Sequence, residues 1–108
     1  MKHIQPTELA AWLREQPAES APLLLDVREP WEYALCHIAG AVNQPMQTVP
    51  QAHAQLDMAR PTVVICHHGM RSYQVGVFLE RAGFDDIYNL TGGVAAWADD
   101  VEPSMARY

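Results

Sequence analysis

The chain has 108 residues, enough for one domain that buries its own core without a disulfide or metal to staple it. Its 7 basic residues are scattered among 13 acidic ones, and the net charge of -6 excludes a nucleic-acid surface and an affinity for anionic membranes. No apolar run approaches the roughly 18 residues of a membrane helix, and the N-terminal Met-Lys-His-Ile-Gln-Pro-Thr-Glu lacks the apolar stretch of a secretory leader, so a cytoplasmic location is expected.

From Thr7, a capping residue after Pro6, the apolar positions Leu9, Trp12 and Leu13 follow helical spacing, and Pro17 ends that helix. The run Leu23-Leu24-Leu25 is continuous rather than alternating, as expected of a strand covered on both faces, and it stops at Asp26. Pro30 suits the first turn of a short helix that contains Glu32. A turn at Gly40 leads to a brief strand near Val42, and the Ala- and Gln-rich stretch from Gln47 to Ala59 reads as one or two short helices broken near Pro50. Thr62 to Ile65 is a β-branched strand. The helix after it places Val75, Phe78, Leu79 and Ala82 on one face and stops at Gly83. A strand at Ile87 to Leu90 passes through Thr91-Gly92-Gly93 into a short helix around Trp97, and residues 99–108 read as a polar C-terminal tail. Strands alternating with helices over short connections predict an α/β domain with a mainly parallel sheet.

Such sheets bind ligands beyond the carboxyl ends of their strands, and both Asp26 and Cys66 fall at such ends. The loop Cys66 to Arg71 therefore sets a thiol before a helix N-terminus, where amide donors favour an anionic sulfur. Gly69 supplies the positive φ that lets successive N–H groups turn inward, and Arg71 is the cation that would hold an anion within an acidic body. Two cysteines 30 positions apart carry no zinc-finger or Cys-x-x-Cys spacing. No metal or cofactor is called for, because Cys66, His67 and His68 as neighbours on a tight loop should diverge.

Cys66-His-His-Gly-Met-Arg-Ser72 resembles the Cys-x-x-Gly-x-Arg-Ser loop of rhodanese-type sulfurtransferases. Three more segments resemble that family in the right order: Asp26-Val27-Arg28, His37-Ile38-Ala39-Gly40-Ala41-Val42-Asn43, and Gly92-Gly93 through Trp97. Cys36 and Ala39 depart from it, standing where the family usually has Gly and Pro. The resemblance implies a rhodanese-like fold, a mainly parallel five-stranded sheet with helices on both faces. It also implies a double displacement through Cys66, with sulfur taken from thiosulfate or a persulfide donor and given to a thiol or cyanide. His67, His68, Gly69, Met70, Arg71 and Ser72 would line the substrate loop, and Asp26, Arg28 and Glu32 would support it. Arg71 either attracts the anionic donor or braces the loop against a carboxylate, Glu32 being the first candidate.

Two rivals belong to other classes. One is a non-catalytic rhodanese-like binding module, against which the retained Cys66 speaks. The other is a cysteine-dependent phosphatase or arsenate reductase, whose larger phosphoryl group needs five residues between Cys and Arg where this chain has four. Thiosulfate, cyanide, glutathione, thioredoxin or a cysteine desulfurase all fit a shallow loop exposed at a sheet edge. Cys36 reads as a small residue in place of Gly, or as a resolving cysteine for Cys66.

Overall fold

The computed structural model, which describes all 108 residues, is built on a five-stranded sheet in which every pairing is parallel. Its elements are β1 (Lys2–Ile4), α1 (Pro6–Glu15), β2 (Leu23–Asp26), α2 (Pro30–Leu35), β3 (Val42–Asn43), α3 (Val49–Ala52), β4 (Thr62–Ile65), α4 (Met70–Arg81), β5 (Ile87–Leu90) and α5 (Gly93–Asp100). The strand order is β1-β5-β4-β2-β3, which puts β4 in the middle. From β2 the chain runs outward to β3, then crosses back to β4 on the other side. The carboxyl ends of β2 and β4 thus flank the point where the winding reverses, the place where an open α/β sheet leaves a crevice.

β4 is fully buried because it is covered on both faces, and its side chains divide with period two. Val63 and Ile65 join Leu9 of α1 and Val94 and Trp97 of α5 in one core. Val64 and Cys66 join Val75 and Leu79 of α4 and Val49 of α3 in the other. The register pairs Asp26 with Ile65, so the last residue of β2 and the start of the Cys66 loop lie level.

Local details correct or add to the expectations. A first strand, β1, pairs with β5 although only Ile4 of its three residues is buried, too short a pattern to show in the sequence. α1 starts one residue before Thr7, with Gln5 as its cap, Pro6 in its first turn, and the Gln5 amide donating to Glu8 Oε1 at 2.8 Å. The break expected near Pro50 falls just before it, where the 3-10 turn Met46–Thr48 gives way to α3, and Pro50 lies in the first turn of α3, where a missing N–H is harmless. Finally, residues 99–108 are not a free tail, since α5 continues to Asp100, Met105 is buried in the core that holds Trp97, and Tyr108 returns to the Cys66 loop.

The entry to α5 locks sheet and loop together. Gly93 has a φ of +60°, and a Cβ there would overlap the carbonyl oxygens of Cys66 and His67. Gly93→Ala is expected to cost at least about 2 kcal/mol, the sum of left-handed strain and that overlap. Urea unfolding checks it, and a stability equal to the parent's would refute the close approach.

Candidate active site

The backbone of the Cys66 loop is turned by α5. Val94 and Ala95, in the first turn of that helix, donate their N–H groups to the carbonyls of Cys66 at 2.9 Å and His67 at 3.1 Å. In a trans peptide C=O and N–H point in opposite directions, so the amides of His67 and His68 are driven away from α5. Gly69, at φ +106°, then lets the chain enter α4. The amides of Met70, Arg71 and Ser72 have no backbone acceptor, as first-turn amides do not. The result is a cup of donors at the positive end of a twelve-residue helix.

Cys66 lies on the floor of this cup. It is 1% exposed, so the loop is deep rather than shallow, and it hangs from the central strand rather than from an outer one. The Gly69 amide donates to Sγ at 3.0 Å, and the Ser72 hydroxyl lies 3.2 Å from the sulfur. Ser72 in turn donates to Oδ1 of Asn89, whose Nδ2 donates to the Gly69 carbonyl at 3.2 Å. Asn89 was not singled out in the sequence. Its signal was there: a polar amide in the otherwise apolar run of β5, one residue before the strand ends.

Arg71 makes a two-pronged pair with Glu32, Nη1 to Oε1 at 2.7 Å and Nη2 to Oε2 at 3.0 Å. Glu32 is nearly buried, and each of its oxygens takes a second donor, the Glu29 amide at 2.9 Å and the Tyr108 hydroxyl at 2.7 Å. Arg71 above all holds the Glu32 carboxyl down at about 2, below its ordinary 4.5, against the opposing effect of burial. The same bond raises Arg71, which stays charged throughout. Beneath them Arg28 and Asp26 form a fully buried ion pair. Arg28 also donates to the carbonyl of Cys36 at 2.6 Å and to the Tyr108 hydroxyl at 3.0 Å. Asn43 ties the same corner by donating to the carbonyls of Asp26 and Arg28.

Tyr108 is the second residue absent from the sequence reading, and no local signal could have placed it, since it reaches the site only through the tertiary fold. Its hydroxyl accepts from Arg28 and donates to Glu32, and burial pushes it up to about 12. Its ring stacks on His67 at 4.0 Å between centroids, and His67 stacks on His68 at 3.9 Å. The two histidine rings therefore converge rather than diverge. Burial and the neighbouring His68 push His67 below the ordinary imidazole value. No group of three or more His, Cys, Asp or Glu side chains is placed to hold a metal. His68 and Met70 are exposed at the rim, and Cys36, half-buried, has its sulfur 3.9 Å from Arg28. Its φ of -164° is extended backbone that any residue adopts, so a side chain is tolerated there without strain.

The rhodanese-like domain family matches residues 6–100. This chain belongs to the rhodanese-like family. It is 37% identical over 102 residues to a thiosulfate sulfurtransferase GlpE of Pseudomonas fluorescens, covering 94% of this chain and 90% of that one. It is 36% identical over 107 residues to the probable adenylyltransferase/sulfurtransferase MoeZ of Mycobacterium tuberculosis, of which it spans only 26%. Among solved structures, a rhodanese-like domain protein from Staphylococcus aureus superposes with a TM-score of 0.83 at 33% identity, covering 94% of this chain and 95% of that one. No helix in this rhodanese-like domain is long and apolar enough to cross a membrane.

The depressed Glu32 carboxyl makes stability depend on acid. A folded-state value near 2 against an unfolded 4.5 contributes stability that is complete above pH 4.5 and is lost as pH falls towards 2. The contribution is on the order of 3 kcal/mol. Urea midpoints measured across that window should fall for the parent, whereas Glu32→Gln should start lower and change less. A variant as acid-sensitive as the parent would assign the acid transition to other carboxylates.

Proposed function

We propose that this rhodanese-type sulfurtransferase carries sulfane sulfur on Cys66. The Cys66 thiolate attacks the outer sulfur of thiosulfate or of a persulfide. A new S–S bond forms, the old one breaks, and sulfite or the donor thiolate departs with the bonding pair. The acceptor, cyanide or a thiol, then attacks the outer sulfur and releases Cys66 as thiolate. The observation that carries this reading is the cup itself. The amides of His67, His68, Met70, Arg71 and Ser72 have no backbone acceptor, the sulfur beside them already accepts from Gly69, and a second sulfur atom bearing the negative charge would find its donors among these amides.

Loop size favours sulfur over phosphate, since four residues between Cys66 and Arg71 close the cup more tightly than the five that a phosphoryl group requires. In this reading Arg71 braces the loop, because both oxygens of Glu32 engage its guanidinium. A cysteine only 1% exposed selects donors and acceptors that present a narrow terminal atom: thiosulfate, cyanide, or a cysteine on a projecting loop such as a cysteine desulfurase or thioredoxin would offer. Both cysteines are free thiols, the state that a reducing compartment such as the cytoplasm maintains.

Intact-mass measurement after thiosulfate treatment should find one added sulfur, removed by cyanide or a dithiol. Cys66→Ser should take up none and transfer sulfur at least about a thousandfold more slowly while keeping its fold. A serine variant that still gains the sulfur would move the chemistry off Cys66. A parent that gains none from thiosulfate or any persulfide would favour a binding module.

A further inference from the structure

The four polar groups behind the sulfur form a ring whose proton directions are fixed by chemistry. A backbone carbonyl can only accept, so the end of Asn89 that faces Gly69 O at 3.2 Å is its NH2 group. Oδ1 is therefore the end that faces Ser72, and it takes the single hydroxyl proton of that residue. Ser72 Oγ, 3.2 Å from Sγ, is left to offer the sulfur a lone pair. The sulfur must answer with its own S–H, while accepting from the Gly69 amide. The ring begins and ends on Gly69. Cys66, Ser72 and Asn89 are 1%, 0% and 5% exposed, so solvent is not at hand to complete a broken link.

We infer that Asn89 is a positioning residue that directs the Ser72 hydroxyl away from Cys66 and so holds the resting sulfur as a thiol. When the sulfur loses its proton, the lone pair of Ser72 faces a thiolate. Ser72 must then turn its proton to the sulfur and leave Oδ1 of Asn89 without a donor. Asn89 thus penalises the free thiolate through a buried hydrogen bond. A second consequence rests on the proposed sulfur-carrier role. Once Cys66 bears a second sulfur, the charge moves outward into the cup, and Ser72 can return to Asn89. The ring then favours the loaded state over the free thiolate and lengthens the persulfide's life.

Iodoacetamide labelling of Cys66 against pH, read peptide by peptide so that Cys36 is scored separately, tests the first consequence without any sulfur transfer. Asn89→Leu, which removes the acceptor, should shift the labelling midpoint down by about one pH unit, labelling about tenfold faster below it. In a Ser72→Ala background the same substitution should shift nothing further. Asn89→Val, suited to a strand, serves if the leucine variant does not fold. The charged and titratable groups around the sulfur stay in place in all these variants: Arg71 with Glu32 behind it, His67 and His68 in the loop, and the Asp26–Arg28 pair. An unchanged or raised midpoint, or a shift of equal size without Ser72, would overturn the inference, because a merely structural Asn89 acts with or without that hydroxyl. For the second consequence, the persulfide of Asn89→Leu should discharge to cyanide faster than the parent's. If the labelling shift appears but neither protein takes up sulfur, the carrier role fails and the ring stands.

Discussion

The site depends on two hydrogen bonds that never touch the sulfur. A peptide group can direct only one of its two dipoles into the cup, and the carbonyls of Cys66 and His67 are engaged by the first amides of α5. That capture satisfies donors that a helix N-terminus would otherwise leave idle, and it commits the following amides to the opposite side. Gly93 is what lets the helix come close enough. Two helix N-termini thus cooperate, α5 orienting the loop from behind and α4 supplying the positive pole in front.

The wall of the cup depends on Glu32. A carboxylate with this little exposure is tolerable only when its lone pairs are occupied, and Arg71, Tyr108 and the Glu29 amide occupy them. Tyr108 also receives Arg28, so the buried Asp26–Arg28 pair and the Glu32–Arg71 pair are linked through one phenol. The three elements around the crevice, the end of β2, the helix α2 and the start of α4, are cross-braced by charge-assisted bonds rather than by apolar packing alone.

Much of this was legible in the residue pattern. The continuous apolar runs of β2 and β4 announced strands covered on both faces, and their ends located the crevice. Glu32 could be named as a partner for Arg71 because it is a carboxylate in the short segment that begins at Asp26, the other strand end expected at the crevice. What could not be read were returns from far along the chain. Tyr108 packs on His67 through the tertiary fold, and three-residue β1 has no periodicity to detect. The expected divergence of His67 and His68 failed because Tyr108 stacks on the first and the rings then stack on each other. The depth of Cys66 was hidden too, since the strand order that makes β4 central is a property of the topology.

The central position of β4 has a consequence for motion. Local opening in a protein costs least at its margins and most in the strand paired on both sides, so amide exchange at Val64 and Ile65 should require nearly complete unfolding. Cys66 is tethered to that most protected segment, whereas the aromatic rings beside its loop, Trp31 edge-on to Tyr108 and Tyr108 on His67, are held by side-chain contacts. The two are therefore held by different means, the sulfur by a backbone ladder on both sides of its strand and the rings by stacking and the two hydrogen bonds of the Tyr108 phenol. The position of the sulfur is thus set by the backbone of the strand and not by the aromatic groups around it.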